Sequence, residues 1–406
     1  MSFPPRNRRL LILSQVYRPD PAAVGQYLAD VAGAMVKRGW RVVVLTANRG
    51  YDDPGARYPA RETIDGVDVR RLPLASFGKR SLAVRLLGGL SFVVQTIVRG
   101  LLVGRIDAIL VSTSPPTAPL GALVVGCLRR APIKYWVMDV NPDQAVALRM
   151  ARPGSLPVRL VDWLNTLVLA RALDVIVLDR FMAERVGRKL DVGDKLAIVP
   201  PWPHEDHLRP VAHSENPFRG ELGVNGKFVV MYSGNHGPSN PLTTVLQAAL
   251  RLRDDARIQF LFVGGGIGKR EVEGITSPNI RSLPYQPLER LRYSLSAADV
   301  HLVALGNDVV GIVHPCKVYA ALAVARPIVL LGPIESHVGD LLLEGEIGWQ
   351  IAHGDVEAAV RLFQALADAD PAAMLARGSR AQNLVRDRLG QATLCGRFCD
   401  ILERGT

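Results

Sequence analysis

The sequence is short of cysteine, of aromatic residues and of any long uncharged apolar run, and each shortage speaks against a class of protein. Four cysteines stand among 406 residues (Cys127, Cys316, Cys395 and Cys399), with no CxxC pair and no histidine partner at metal spacing. A disulfide framework and a zinc site are therefore not expected. The opening MSFPPRNRRLLILSQ runs straight into a strand pattern without a secretory leader, so a reducing compartment with reduced thiols is expected. Aromatic residues make up 6% of the chain, and readers of nucleic acid usually stack bases on aromatic rings. Low-complexity tracts are absent, and with 48% apolar residues the chain is long enough for two domains of ordinary size.

Charge of one sign is what the chain does have. The net charge is +11, and residues 1–130 carry 19 lysines and arginines against eight acids, which leaves 30 of each in the remainder. The basic excess thus lies wholly in the first third, a surface for nucleic acid or an anionic membrane. Segment 79–105, KRSLAVRLLGGLSFVVQTIVRGLLVGR, discriminates between them. As a helix it places Ser81, Arg85, Gly88, Ser91, Gln95 and Arg99 on one narrow polar stripe amid Leu, Val, Ile and Phe. That is too interrupted for a membrane span, which needs about 20 apolar residues. It suits a helix lying in the interface of an anionic membrane with basic flanks on headgroups, and a buried core helix is the competing reading. With aromatics scarce nearby, membrane is preferred and no nucleic acid is expected.

Strand and helix patterns alternate throughout. Apolar runs at 9–14, 41–46, 108–113, 133–139 and 174–179 form a first series, and 228–234, 258–264, 300–305 and 327–332 a second. Such runs read as parallel strands buried on both faces, so the fold class is α/β with two Rossmann-like doubly wound domains. The stretch VPPWPHEDHLRPVAHSENPFRG, 199–220, lacks periodicity and reads as the linker. We assign residues 1–203 to an N-terminal domain, 204–382 to a C-terminal one, and 383–406 to a helix returning to the first. Ligands of open α/β sheets bind at the carboxyl ends of the strands, here across an expected cleft between the domains.

The loops at those ends supply the candidate residues. After strand 9–14, Gly25 opens a helix and reads either as a simple turn or as a point of close approach for backbone or substrate. MDVNPD places Asp139 and Asp143 at a strand end, where either one of them orients an acceptor hydroxyl or serves as a base, or the two are a plain turn and helix cap. SGNHG, 233–237, offers Gly234, Asn235 and His236 as a polar pocket. GGGIGKRE, 264–271, matches neither the GxxxxGK phosphate loop nor the dinucleotide GxGxxG. It remains a strand-to-helix turn in which Gly266 and Lys269 could meet an anion. GIVHPCKVYAALAVARPIV, 311–329, reads as a helix whose start holds Gly311, Ile312, Val313, His314, Pro315 and Lys317, with Tyr319 one turn in. No carboxylate stands in that first turn, so we expect its unpaired N–H groups and cations to hold an anion.

In this order the motifs resemble family 4 of the glycosyltransferases with the GT-B fold, in the bacterial branch that builds colanic acid, O-antigen and similar surface polysaccharides. The resemblance runs nearly the whole length, through YLADVAGAMVKRGWRVVVLT, ETIDGVDVRRLP, STSPPTAPLGAL, MDVNPD, VPPWPH, YSGNHG, FVGGGIG and HPCKVYAALAVARPIV. It implies a retaining transferase of the hexosyltransferase type, cytoplasmic and peripheral on the inner face of the membrane. The donor would be a nucleotide-diphosphate sugar held by the C-terminal domain, with no metal and no other cofactor, and a lipid-linked or oligosaccharide acceptor would meet the N-terminal one. Two family glutamates eight apart are replaced: counted from Gly311 the first position falls on Asp308, and counted back from the helix end the second falls on Ala320. The usual glycine before the last proline is Ala325, and no arginine follows the SG strand. On this reading Lys317, His236, Asp308 and Asp139 carry the chemistry. A non-catalytic sugar-nucleotide-binding scaffold, or an epimerase of the same fold, is the alternative.

Overall fold

The computed structural model describes residues 8–406 apart from 21, 51, 52, 54, 76–81 and 204–207. His204 of the VPPWPH motif and Ser81 of the polar stripe lie outside the described residues, as does the side chain of Arg85. Two compact units divide the chain: Met1–Pro200 with Leu394–Thr406, and Pro201–Thr393. The return to the first unit thus falls at Leu394, and residues 383–393 stay with the second.

The first unit opens with β1 (Arg9–Leu13), α1 (Ala23–Lys37), β2 (Arg41–Ala47), β3 (Arg61–Ile64), β4 (Val67–Leu72) and α2 (Leu82–Leu101). It continues through β5 (Ala108–Ser112), α3 (Ala118–Arg129), β6 (Ile133–Trp136), α4 (Asp143–Ala147) and α5 (Leu156–Arg171). Then come β7 (Asp174–Val177), α6 (Arg180–Lys189) and β8 (Leu196–Ile198). The eight strands lie in the order β3-β4-β2-β1-β5-β6-β7-β8, all parallel except β3 against β4. Asp65 and Gly66, both at positive φ, make the two-residue turn of that hairpin. Leu10–Leu13 and Ala108–Val111 are fully buried because helices cover both faces of the central strands.

Right-handed crossovers decide which helix covers which face. The steps from β4 to β5, β5 to β6 and β6 to β7 run one way across the sheet, so α2, α3 and α5 share a face, with α3 packed against both others. The segment expected as one amphipathic helix is α2, and its two apolar sides have different fates. Phe92, Val93 and Thr96 are buried, as the core-helix reading requires. Leu87, Leu90, Val94 and Val98 are exposed on the other side. Between them Gln95 donates to Ser91 Oγ at 3.0 Å and to the Pro73 carbonyl. On α5, Leu156, Leu160 and Trp163 are also exposed. Among the described residues no helix is long and apolar enough to cross a membrane.

The second unit contains α7 (Pro217–Glu221), β9 (Phe228–Asn235), α8 (Thr243–Arg251), β10 (Ile258–Gly265), α9 (Lys269–Glu273), β11 (Ile280–Leu283) and α10 (Leu288–Ser296). There follow β12 (Val300–Ala304), α11 (Lys317–Ala323), β13 (Ile328–Leu331), α12 (His337–Gly345), β14 (Gly348–Ile351), α13 (Val356–Ala367) and α14 (Pro371–Leu384). Its parallel sheet has the order β11-β10-β9-β12-β13-β14. Tyr232, Phe260, Phe262 and Phe363 fill one side of that sheet, and Met231, Leu261 and Val263 the other.

The last helix, α15 (Gln391–Glu403), is bolted into the first unit. Buried Lys134 on β6 gives its ammonium to Asp174 Oδ2 (2.6 Å), the Ile401 carbonyl (3.0 Å) and the Arg404 carbonyl (2.6 Å). Burial pulls its pKa down against the opposing pull of Asp174. Arg38 pairs with Asp400 and Glu403, Trp40 Nε1 donates to Glu403 at 3.0 Å, and Phe398 meets Trp136 edge-on. The four cysteines form no disulfide with one another.

Candidate functional site

In the second unit the candidates gather at the carboxyl ends of the strands. β9 and β10 pair in parallel with Gly234 opposite Gly264 and Asn235 opposite Gly265. Gly234 has φ +136°, and a Cβ there would stand 2.5 Å from Cε of Lys317, so its bare backbone is what lets the lysine cross the strand end. Gly264 is held bare in turn, since its Cβ would lie 2.0 Å from the Gly234 carbonyl oxygen. Lys317 Nζ lies 4.1 Å from the centre of the Tyr232 ring and donates to Tyr232 Oη and, at 2.9 Å, to the Asn235 carbonyl. Tyr232, fully buried, gives its own proton to the same carbonyl at 2.6 Å. Among the described residues no carboxylate pairs with this ammonium, and burial pushes its pKa down to about 7.

Asn235 and His236 form a turn inside the glycine loop. The His236 N–H reaches the Gly265 carbonyl at 2.7 Å, and its carbonyl accepts from the Gly268 N–H at 2.8 Å. A Cβ at Gly266 would strike Asn235 Oδ1 at 2.3 Å, so the glycines seat this turn. The His236 ring, 1% exposed, lies edge-on to Tyr232 with Nδ1 3.1 Å from the Gly234 carbonyl. That contact calls for the proton on Nδ1 and leaves Nε2 as a buried acceptor, which has no partner among the described residues. Burial keeps the imidazole below its ordinary pKa, hence neutral.

Two expectations change here. Lys269, read as a cation facing an anion, donates to the carbonyls of Gly264 (2.7 Å) and Leu283 (2.8 Å) and lies 3.7 Å from Glu273. It ties the ends of β10 and β11 together. The helix expected from 311 begins only at Lys317, with Cys316 as its N-cap. Residues Asn307–Val309 form a 3₁₀ turn, Gly311 reverses the chain at φ +68°, and the N–H groups of Ile312 and Val313 both go to the Val309 carbonyl. Those two donors are used up internally, and the positive charge at this strand end comes from the Lys317 side chain. Asp308 lies exposed on the 3₁₀ turn.

Beside this centre, Tyr319 Oη is 2.7 Å from His314 Nε2 and 2.9 Å from Nε2 of His337, the first residue of α12. The imidazole centres are 4.4 Å apart. Neither Tyr232 nor His337 was singled out in the sequence. Tyr232 reads there as another inward strand residue, and His337 opens α12 in a stretch without a motif.

In the first unit, Gly25 is in the first turn of α1, where a Cβ would press within 3.0 Å of the Tyr17 amide nitrogen. Its close approach is therefore to backbone. The two acids after β6 part company. Asp143 pairs with Lys189 and Arg185 in the first turn of α4. Asp139 receives no such pairing among the described residues; its N–H donates to Thr113 Oγ1 at 3.2 Å, and burial pushes its carboxyl up to about 6. That is a value suited to exchanging a proton near neutrality. Among the described residues no three His, Cys, Asp or Glu side chains gather as metal ligands would.

Two doubly wound units of this kind, with polar loops at the carboxyl ends of their strands, are the architecture of the GT-B transferases. The family model described as "Glycosyl transferase 4-like domain" matches residues 22–202. The chain is 24% identical over 374 residues to the probable glycosyltransferase WbjE of Pseudomonas aeruginosa, covering 89% of this chain and 90% of that one. It is 26% identical over 349 residues to the putative colanic acid biosynthesis glycosyl transferase WcaI of Escherichia coli K12, covering 82% and 85%. Anabaena Alr3699/HepE, solved in complex with UDP and glucose, superposes with a TM-score of 0.72 at 15% identity, covering 97% and 99%. The chain is a glycosyltransferase of the GT-B fold, and its residues 22–202 are similar to the glycosyl transferase 4-like domain.

Proposed function

We propose that the protein is a retaining, metal-independent transferase that moves a sugar from a nucleotide-diphosphate donor to a lipid-linked acceptor in bacterial surface-glycan synthesis. The observation that carries this reading is Lys317, an ammonium poised at the carboxyl end of β9 whose partners among the described residues are neutral oxygens. A diphosphate is the partner such a group lacks. As the glycosidic bond to the leaving phosphate breaks, Lys317 meets the developing charge. The His236 Nε2 acceptor and Asp308 take sugar hydroxyls, and Asp139 orients the acceptor hydroxyl on the first unit. With attack on the face the phosphate leaves, that phosphate accepts the acceptor's proton and configuration is retained. The complex of HepE with UDP and the naming of WcaI for colanic acid support the donor class and the setting.

The exposed apolar side of α2, with Leu156, Leu160 and Trp163 of α5 on the same sheet face, supports seating on the inner face of the membrane. There a lipid-linked acceptor is within reach. Ala320 in place of the second family glutamate favours a second reading, a scaffold that binds sugar nucleotides without turning them over.

A thermal-shift screen against UDP-, GDP-, dTDP- and CMP-sugars without metal tests the proposal. A donor at a hundred times its Kd adds about 2.7 kcal/mol of stability. A shift with one nucleotide class, abolished in Lys317→Ala, is expected. No shift, or one that survives the substitution, would refute the diphosphate assignment, and binding without any transfer would leave the scaffold.

A further inference from the structure

We infer that Asn165 of α5 is a positioning residue for the acceptor side of the site: it pins the turn after β6 at the Asn141 carbonyl and so fixes the Asp139 carboxyl where an acceptor hydroxyl meets it. The inference rests on the role given to Asp139 above. Asn165 is buried, and its Nδ2 donates to the Asn141 carbonyl. A carbonyl oxygen only accepts, so the amide nitrogen must be the end that faces it. Oδ1 then points to Tyr135 of β6, whose buried hydroxyl donates to it at 3.0 Å. Tyr135 thereby keeps the amide from turning over, and the donor stays on the turn.

Asp139 lies between two such pins. On the near side, Thr113 Oγ1, just beyond β5, accepts from the N–H groups of Met138 and Asp139 at 3.3 and 3.2 Å. On the far side, Asn165 holds the carbonyl two residues on. Val140 between them is buried, and its carbonyl accepts from the Gln144 N–H at 2.9 Å in the first turn of α4. The backbone is thus fixed before and after Asp139, while the residue itself keeps partial exposure. A turn free to swing would carry the carboxyl into water and away from a reacting hydroxyl. The helix that supplies the second pin is the one whose Leu156, Leu160 and Trp163 are exposed, so the seat of the acid depends on the seat of α5.

The test uses the full-length protein with ¹³C-labelled aspartate carboxyls, Asp139 being assigned with Asp139→Asn. The wild-type carboxyl should titrate at about 6. In Asn165→Leu the midpoint should drop below about 5, toward the ordinary 3.9, as the released turn lets water reach it. Tyr135→Phe leaves the amide free to turn over and should move the midpoint the same way by less. Val168→Ala loosens the buried side of α5 without touching the turn and should leave it in place. An unmoved midpoint in Asn165→Leu, or an equal drop in Val168→Ala, overturns the inference. If Asn165→Leu fails to fold, Tyr135→Phe decides by the same criterion. A second arm follows hydrolysis of the UDP-, GDP-, dTDP- or CMP-sugar that binds the wild type, with water as the acceptor. Asn165→Leu should leave donor Kd within twofold, lower kcat about 10- to 100-fold and carry the acid limb of the pH profile down with Asp139. Unchanged kcat and an unmoved limb overturn the inference alone. If Asp139→Asn hydrolyses donor as fast as the wild type, or the wild type hydrolyses none, the acceptor role of Asp139 falls and takes the inference with it.

Discussion

The side chain of Lys317 crosses the α-carbon of Gly234 so closely that a methyl group there would stand 2.5 Å from Cε. One residue ends a strand and the other begins a helix, and the contact makes the two a single part. Gly234→Ala should therefore act like a lysine mutation: φ is +136°, closed to most side chains, and the ammonium must leave Tyr232. We expect donor binding at least about tenfold weaker, a drop of roughly 1.4 kcal/mol or more, together with a lower Tm. Calorimetry showing wild-type affinity in this variant would mean that the donor does not use Lys317.

Direct removal should be costlier for turnover than for folding. Lys317→Ala ought to lower kcat about 10²- to 10³-fold, some 3–4 kcal/mol of transition-state stabilisation, by analogy with a lost oxyanion donor. Tyr232→Phe keeps the ring beneath the ammonium and removes only the hydroxyl, so its effect should be smaller, about 1 kcal/mol in stability. Steady-state kinetics beside chemical denaturation separates the two effects.

The low pKa of Lys317 has two opposite pH signatures. Its folded value of about 7 lies below the ordinary 10.5, so between those pH values the unfolded chain holds the extra proton and this residue makes stability rise with pH. Below about pH 7 it contributes no slope. Donor affinity runs the other way: a diphosphate prefers the charged amine, and binding above pH 7 takes up a proton. Calorimetry at pH 8 in buffers of different ionisation enthalpy should show uptake approaching one proton, absent in Lys317→Met. Equal heats in all buffers would contradict the prediction.

On the first unit, the outer side of α2 is open to a direct test. Leu90→Glu with Val94→Glu changes two exposed residues and should leave Tm within about 1–2 °C. Flotation with vesicles rich in anionic lipid should fall about tenfold or more, because both apolar contact and charge attraction are lost. Undiminished flotation would take α2 out of the membrane reading.

Lys134→Met should be severe. It leaves Asp174 buried without its ammonium and two carbonyls of the last helix without a donor, a loss of about 3–5 kcal/mol. Urea denaturation of the variant measures it.

Much of the architecture was legible because doubly buried parallel strands announce themselves as apolar runs: β1, β2, β5, β9, β10 and β12 fall within a residue or two of their expected bounds. The Asp65-Gly66 hairpin carries its usual signature, but β3 and β4 are not apolar throughout and do not announce themselves as buried strands. Lys317 stood out through its setting, a cation without nearby acids. What it rests on did not, because Tyr232 reads as core and only the fold brings it beneath an ammonium 85 positions away. The helix expected from 311 starts at Lys317 for a related reason. Pro315 and Gly311 fit a helix entry and a 3₁₀ turn equally well, and the choice is made by the Val309 carbonyl, which collects the N–H groups of both Ile312 and Val313. Lys269 shows the converse limit: its spacing suggests an anion, and two strand-end carbonyls claim it first.

The three bonds from Lys134 also set an order of events during synthesis. Its carbonyl partners are Ile401 and Arg404, so the ammonium, paired with Asp174 alone, keeps two N–H donors unsatisfied in the interior of the first unit until almost the whole chain has been translated. The second unit, contiguous from Pro201 to Thr393, has all of its strands before that moment. A ribosome making this protein should therefore release a finished second unit first, while the earlier-made half waits for its last dozen residues. Stalled chains ending before Ile401 should be protected from protease in the second unit and open in the first.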